Sequence, residues 1–219
     1  HNGPVNDISS HKRILRNNLF KGKINFIRFP SLEAQVAAIS DDIAYNNHDL
    51  EDGLRAGLFT LKKFSSVPLM SRLIDKHVKQ IRSFRKEIII GQIVRELINL
   101  MVVDVIDTTN KNLKKSNPQS INDIYKEDHL IVDFSNKMKN IVNQMRFFLN
   151  HNMYNHKKVI INTNKGKKII NDLFKHLLKN PKKYISKDLF KNDEKERVIA
   201  DFIAGMTDRY AINLHNKIQ

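Results

Sequence analysis

The chain has 219 residues, of which 41% are hydrophobic, and its mean hydropathy is −0.45, so it can bury the core of one domain or slightly more. Its formal charge of +15 and pI near 9.9 indicate an anionic partner, such as a nucleotide or a nucleic acid. The absence of cysteine excludes disulfides and thiolate metal sites, and no apolar run reaches the roughly 18 residues of a membrane span. We therefore expect a cytoplasmic location and no membrane partner.

The chain opens with a basic, irregular lead-in over residues 1–30, with one short apolar patch at residues 24–29. A helix is predicted next, because Ser31 is a good N-cap and Glu33 faces the positive end of the helix dipole. Gly53 and Gly57 are expected to end this helix or to break it.

This predicted helix has two distinct faces when successive residues are placed about 100° apart. Acidic and aromatic side chains occupy about a quarter turn, and they suggest a site for a metal and phosphates. This polar face consists of Asp41, Tyr45, His48, Asp49 and Asp52. The opposite, packing face consists of Val36, Ile39, Ile43, Leu50 and Leu54.

After a connector at residues 58–67, Pro68 opens a helical region that is expected to run to about Thr109. Apolar residues fill more than one face of its second half, which predicts a central, buried helix. A strand over residues 87–90 is the alternative, but the spacing of three and four residues favours helix.

The rest of the chain is predicted to contain a polar loop at residues 111–120 and helices at 135–154, 166–178 and 193–214. The Asn180-Pro181 pair is expected to end the second of these helices. Asp208 and Arg209 are expected to cap or pair within the last one.

Lysine is concentrated in the segment 151–189, which contains ten Lys and no Arg or Glu. Five of these lysines surround Gly166 on a predicted loop, where point charges suit non-specific phosphate contact better than base recognition. A bias towards Lys, Asn and Ile also follows from AT-rich codons, so both interpretations stay open.

The string SLEAQVAAISDDIAYNNHDLEDGLRAG at residues 31–57 closely resembles the deoxynucleoside triphosphate triphosphohydrolases of the HD superfamily, the dGTPase-like proteins. HNGP at residues 1–4, MRFFLNHNMYNHKKV at 145–159 and ERVIADFIAGMTDRYAINLH at 196–215 are similar to other strings of that family. The resemblance covers nearly all of the chain, and most of it lies in the phosphohydrolase-associated region.

This resemblance implies hydrolysis of a dNTP to a deoxynucleoside and inorganic triphosphate, with a divalent metal such as Mg²⁺ or Mn²⁺. The family holds its metal with a His, a His-Asp pair and a later Asp, and Asp41 matches that later Asp. Tyr45 and Asp49 match positions that contact sugar and phosphates. Arg82 fits a triphosphate-binding Arg best, with Arg85 and Arg95 as alternatives.

The adjacent His48 and Asp49 are not interpreted as the metal-binding His-Asp pair. They lie about two helical turns past Asp41, and such a site also needs a preceding His on another helix. We expect His48 to orient a phosphate or a neighbouring carboxylate. A solvated helix surface is the alternative interpretation of the whole acidic face.

The remaining metal ligands of the family should precede the HNGP string, with which this chain begins. We therefore interpret the chain as the C-terminal part of a longer protein. One carboxylate does not hold a transition metal usefully, so the isolated chain is expected to bind metal poorly and to be inactive. The alternative is a non-catalytic oligomerisation or nucleic-acid-binding remnant of a split gene.

The expected fold is all-α, the C-terminal portion of a multi-helix HD-type hydrolase bundle. Residues 1–30 would be a lead-in from the HD core, 31–110 the last core helices, and 111–219 the phosphohydrolase-associated region. The expected partners are a dNTP substrate, a second copy of the chain in a homo-oligomer, and possible nucleic acid at segment 151–189.

Overall fold

The computed structural model describes residues 28–80, 85–190 and 194–218. The chain is 79% helical and has no strand among these residues, which confirms the predicted all-α class. No helix in the described ranges is long and apolar enough to cross a membrane. The helices are α1 (Leu32–Arg55), α2 (Leu61–Phe64), α3 (Met70–Gln80), α4 (Lys86–Ser116), α5 (Ile121–Lys126), α6 (Asn136–Leu149), α7 (Lys157–Lys179), α8 (Lys195–Ala204) and α9 (Asp208–Ile218).

Three shorter helical pieces complete the fold. A π-helical turn, Asn150–Tyr154, follows α6, and two 3₁₀ turns, Pro181–Lys183 and Lys187–Phe190, lie between α7 and α8. The described residues form two compact units, with the boundary between Met153 and Tyr154. The division of the sequence at residues 30 and 110 stays a prediction, and residue 110 lies inside α4.

Helix α1 begins where its sequence predicts. The Ser31 hydroxyl accepts the backbone N–H of Ala34 at 3.3 Å, which satisfies one of the donors left free at a helix start. Hydrogen bonds from the backbone and from the Ser31 hydroxyl hold the pKa of Glu33 below its ordinary value. Gly57 ends the helix region with a left-handed φ of 67°, whereas Gly53 lies inside the helix and does not end it.

The first unit packs its core between α1 and α4, with α6 and the short α2 against them. Leu50 and Leu54 of α1 are fully buried, as are Ile93 and Leu97 of α4. Burial of each such side chain contributes about 1.5 to 3 kcal/mol. The ring of Phe148 on α6 meets Phe59 edge-on at 5.0 Å between ring centroids and lies 5.2 Å from Phe64.

Helix α4 differs from its prediction in burial and length. The expectation of burial on more than one face is wrong for its exposed apolar residues, which are Ile88, Val102, Val103 and Ile106. The predicted polar loop at 111–120 is also shorter, since α4 continues to Ser116 and ends at Asn117 with a φ of 43°. Lys114 and Lys115 favour this extension because they face the negative end of the helix dipole.

Helix α6 begins after Ser135, as predicted. The Ser135 hydroxyl accepts the backbone N–H of Met138 at 3.2 Å and donates to Oδ1 of Asp104 at 2.7 Å. Oδ2 of Asp104 accepts the backbone N–H of Ser135 at 2.8 Å. Asp104 on α4 therefore holds the start of α6 in place.

In the second unit, α7 begins at Lys157, nine residues before the predicted start at Gly166. The Nδ1 of His156 accepts the backbone N–H of Lys158 at 3.3 Å, a capping contact that the sequence prediction did not consider. The lysines around Gly166 therefore lie on a helix, and the prediction of a loop was wrong. Leu177, Ile185, Val198 and Ile199 form the core of this unit.

The helix predicted at residues 193–214 is two helices, α8 and α9. Helix α8 ends at Ala204, with Gly205 as its C-cap. Asp208 is the first residue of α9, not part of the C-terminal half of one long helix. The Thr207 hydroxyl accepts the backbone N–H of Tyr210 at 3.2 Å and so satisfies a donor at the start of α9.

Candidate functional site on helix α1

The polar face of α1 points away from the core. Asp41, Tyr45, His48 and Asp52 are exposed, and Asp49 is half-buried. Tyr45 is 64% exposed, a large fraction for an aromatic side chain. Asp41, Tyr45 and Asp49 are each one turn apart, about 6 Å along the helix axis. The arrangement presents two carboxylates and a phenol in a row to the surroundings.

The packing face of α1 is largely as predicted. Ile43, Leu50 and Leu54 are buried, and Ile39 packs against the same core. The exception is Val36, which is 49% exposed. In this first part of the helix the buried position belongs to Gln35, which is 3% exposed.

Gln35 connects the start of α1 to a distant part of the chain. Its Oε1 accepts the backbone N–H groups of Ile131 at 2.9 Å and Val132 at 3.0 Å. Its Nε2 donates to the carbonyl of Pro30 at 2.9 Å. Every polar atom of this buried amide is therefore used, and the contact fixes the rotation of α1 about its axis.

Two further buried amides lie along α1. Nδ2 of Asn46 donates to the carbonyl of Asp42 at 2.7 Å, and Nδ2 of Asn47 donates to the carbonyl of Ile43 at 2.8 Å. Asn47 also lies 3.2 Å from the sulfur of Met101 on α4. The sequence interpretation missed these residues, although their helical phase places them on the packing face.

An arginine from α6 reaches α1 beside the polar face. Nη2 of Arg146 lies 3.0 Å from Oδ2 of Asp42, an exposed pair that contributes at most about 1 kcal/mol. The pair lies at a cavity of about 350 Å³ whose lining also includes Gln35 and Ile39. Lys139 and Asp133 form a second ion pair at the same cavity.

The predicted triphosphate-binding arginine is not among the residues that the structure places. Arg82 lies outside the described residues. Of its two alternatives, Arg85 is the exposed N-cap of α4, and Arg95 is exposed within that helix. The choice among these three arginines therefore stays a prediction.

Asp41 fits a divalent metal as one oxygen ligand, since carboxylates suit Mg²⁺ and Mn²⁺. It lies in no group of three ligating side chains within the described ranges. The one such group there is Glu127, Asp128 and His129, three consecutive residues in which Nδ1 of His129 donates to Oδ1 of Asp128 at 2.6 Å. That hydrogen bond lowers the pKa of Asp128 and explains the cluster as local pairing. The described residues therefore do not complete a metal site around Asp41.

Comparison with known proteins gives a consistent result. Residues 132–217 match the model of the phosphohydrolase-associated domain. The chain is 49% identical over 218 residues to a deoxyguanosinetriphosphate triphosphohydrolase-like protein of Pelagibacter ubique (strain HTCC1062), covering 100% of this chain and 58% of that protein. Proteins of the same name from Brucella anthropi and Ralstonia pickettii are each 38% identical, over 89% and 86% of this chain and 50% and 49% of their own lengths.

The chain is an all-α protein whose residues 132–217 match a phosphohydrolase-associated domain. It is a relative of the deoxyguanosinetriphosphate triphosphohydrolase-like proteins, which confirms the resemblance drawn from its sequence. The chain spans 58% of the length of the Pelagibacter ubique relative and about half of the length of the other two.

Proposed function

We propose that this chain is part of a dNTP triphosphohydrolase, which cleaves a dNTP to the deoxynucleoside and inorganic triphosphate. The observation that carries the proposal is the outward polar face of α1, which lies within the segment that most resembles the family. Relatives named as triphosphohydrolase-like proteins support the same class of reaction. The net charge of +15 suits a polyanionic substrate.

In this proposal Asp41 is one ligand of a divalent metal, and other ligands come from outside the described residues. Such a metal, when bound, lowers the pKa of a water and offsets negative charge on the attacked phosphate. Arg82 binds the triphosphate through charge-assisted hydrogen bonds, because its planar guanidinium group can donate two parallel N–H bonds to a phosphate.

Tyr45 and Asp49 serve a different part of the substrate. A carboxylate repels a triphosphate but accepts a hydrogen bond from a sugar hydroxyl, so Asp49 is assigned to the deoxyribose. The phenol of Tyr45 can donate to a phosphate oxygen or accept from the sugar. Their one-turn spacing from Asp41 would order metal, phosphates and sugar along the helix.

The chain alone is proposed to be inactive, because Asp41 by itself cannot hold the metal at useful affinity. The proposed assembly is a homo-oligomer, supported by the exposed apolar side chains of α4, and the proposed location is the cytoplasm.

The alternative function is a non-catalytic oligomerisation or nucleic-acid-binding remnant. Ten exposed lysines in segment 151–189 support the nucleic-acid part of that alternative.

The test is the release of inorganic triphosphate from each of the common dNTPs with Mg²⁺ or Mn²⁺. It compares this chain with the full native reading frame, each as the unmodified protein and as the Asp41→Ala variant. Asp75→Ala is the matched control, because Asp75 is an exposed carboxylate on another helix.

Turnover in the longer protein that is lost with Asp41→Ala and kept with Asp75→Ala is the expected result. Turnover that survives Asp41→Ala would exclude Asp41 as a ligand. No turnover of any dNTP in the longer protein would favour the non-catalytic alternative.

A further inference from the structure

Helix α7 presents a stripe of lysines along its outer face. With about 100° between residues, four lysines fall within an arc of about 40° that runs the length of the helix. We call them the lysine stripe, and they are Lys157, Lys168, Lys175 and Lys179, all exposed. From first to last the stripe spans about 33 Å at a rise of about 1.5 Å per residue. Lys158 and Lys165 widen its positive surface on one side.

The orientation of the stripe is set by the core of the second unit. Leu173 and Leu177 lie on the opposite side of α7 and are fully buried. The exposed amides of Asn164 and Asn171 flank the stripe and add neutral hydrogen-bond donors, while the exposed Ile161 interrupts it. The lysines therefore point outward as a set, which a lysine bias from codon usage does not require.

Negative charge on α7 is limited to Asp172. Its Oδ2 accepts from Nζ of Lys168 at 2.8 Å and lies 3.0 Å from Nε2 of His215 on α9. This carboxylate pairs with Lys168 and lies one turn from Lys175, whereas Lys157 and Lys179 have no acidic residue within four positions on the helix. The surface remains strongly positive.

We infer that the lysine stripe binds the phosphate backbone of double-helical nucleic acid without reading its base sequence. Its length of about 33 Å is close to one turn of B-DNA, about 34 Å. Lysine ammonium groups act as point charges on phosphates, whereas base recognition relies mainly on bidentate Arg, Asn and Gln.

Two other anionic partners fit less well. Single strands bind to exposed aromatic rings on which bases stack. The aromatic residue of α7, Phe174, is partly buried against the core of its unit, and the exposed tyrosines of that unit lie outside α7. An anionic membrane surface requires a free apolar face beside the basic one, and the face of α7 that contains Leu173 and Leu177 is already packed. The surface lies in the second unit, whereas Asp41 lies in the first.

The test uses the full chain and a fluorescein-labelled DNA duplex of about 20 base pairs, roughly two turns. Fluorescence anisotropy gives Kd from about 50 to 200 mM salt. The stripe variant carries Lys→Gln at 157, 165, 175 and 179, since Gln keeps the helix propensity of Lys. Lys168 is retained because it pairs with Asp172.

The matched control removes the same charge elsewhere, with Lys→Gln at positions 62, 63, 114 and 115, four exposed lysines of the first unit. We expect the stripe variant to bind the duplex at least about tenfold more weakly near 100 mM salt. We also expect the slope of the logarithm of the binding constant against the logarithm of the salt concentration to become shallower by about 3 to 4, since each phosphate contact contributes about 0.9 to that slope. The control should stay within about threefold of the unmodified chain.

Equal losses in the two variants would mean that net charge alone attracts DNA, and would overturn the inference. So would the absence of duplex binding at about 50 mM salt, or tighter binding to a single strand of equal length. The Asp41→Ala variant should bind the duplex as the unmodified chain does, so failure of the hydrolase proposal and failure of this one are distinguishable.

Discussion

Gln35 accepts the backbone N–H of Val132 at 3.0 Å, across 97 positions of sequence. The contact ties the helix that carries Asp41 to the first residue of the phosphohydrolase-associated domain. Because Gln35 also accepts from Ile131, one buried amide satisfies two backbone donors.

Replacement of Gln35 by Leu should therefore destabilise the chain strongly. It leaves two backbone N–H groups unpaired, at about 1 to 3 kcal/mol each, so we expect the free energy of unfolding to fall by about 2 to 6 kcal/mol. Urea denaturation followed by circular dichroism measures this change. Gln144→Leu is the control, because its amide donates to the exposed Asn140; equal effects of both changes would contradict the assigned role of Gln35.

Substitution by alanine should have opposite effects on stability at Gly53 and at Gly91. A Cβ at Gly53 would lie 2.3 Å from Cε1 of the buried Phe59 ring, whereas a Cβ at Gly91 would meet nothing within 4 Å. We expect Gly53→Ala to cost about 1 to 3 kcal/mol through overpacking. Gly91→Ala should stabilise α4 by about 0.5 to 1 kcal/mol. Thermal unfolding of both variants checks the signs, and a stabilising Gly53→Ala would refute the packing explanation.

Acid should weaken the contact between α3 and α4. Oε1 of Glu96 accepts from Nζ of Lys76 at 2.8 Å, and its Oε2 accepts from Nε2 of the buried His77 at 2.6 Å. These bonds, that of Lys76 foremost, lower the pKa of Glu96 below 4.5, its ordinary value. The ionised form therefore stabilises the fold above pH 4.5, and this contribution is lost as the pH falls through the lowered pKa.

We thus expect Glu96→Gln to reduce stability at pH 7 and to have a progressively smaller effect as the pH falls below 4.5. Urea unfolding of the unmodified and variant chains across this range measures the difference between them. Glu87→Gln, at an exposed residue of the first turn of α4, serves as the control. A Glu96→Gln effect that is independent of pH would show that the carboxylate charge is not involved.

Substitutions on the polar face of α1 should leave stability almost unchanged. Asp41 and Tyr45 are exposed, so alanine at either position should alter the free energy of unfolding by no more than about 0.5 kcal/mol. Asn47→Ala is the contrasting variant, since Asn47 is fully buried and hydrogen-bonded to Ile43, and it should cost about 1 to 3 kcal/mol. Thermal unfolding tests all three. A large loss for Asp41→Ala would assign that carboxylate a structural role.

Local features could be read from the sequence because the interacting atoms are close along the chain. The Ser31 side chain caps a helix through Ala34, three residues away, and Ser135 does the same through Met138. The outward face of α1 follows from the helical period in the same manner, since its residues share a direction whatever they pack against. The exposure of Asp41 and Tyr45 could therefore be predicted, whereas their roles in a metal and substrate site stay predictions and Arg82 lies outside the described residues.

Other features depend on contacts that no local pattern specifies. Gly53 lies inside α1, where the ring of Phe59 leaves no room for a Cβ. Gln35 is buried because its amide meets backbone donors 96 and 97 positions away. Ile88, Val102, Val103 and Ile106 of α4 are exposed, because hydrophobicity favours burial but does not specify which surface a side chain packs against. Periodicity specifies which side chains share a face, whereas the packing partners of that face are established by the folded chain.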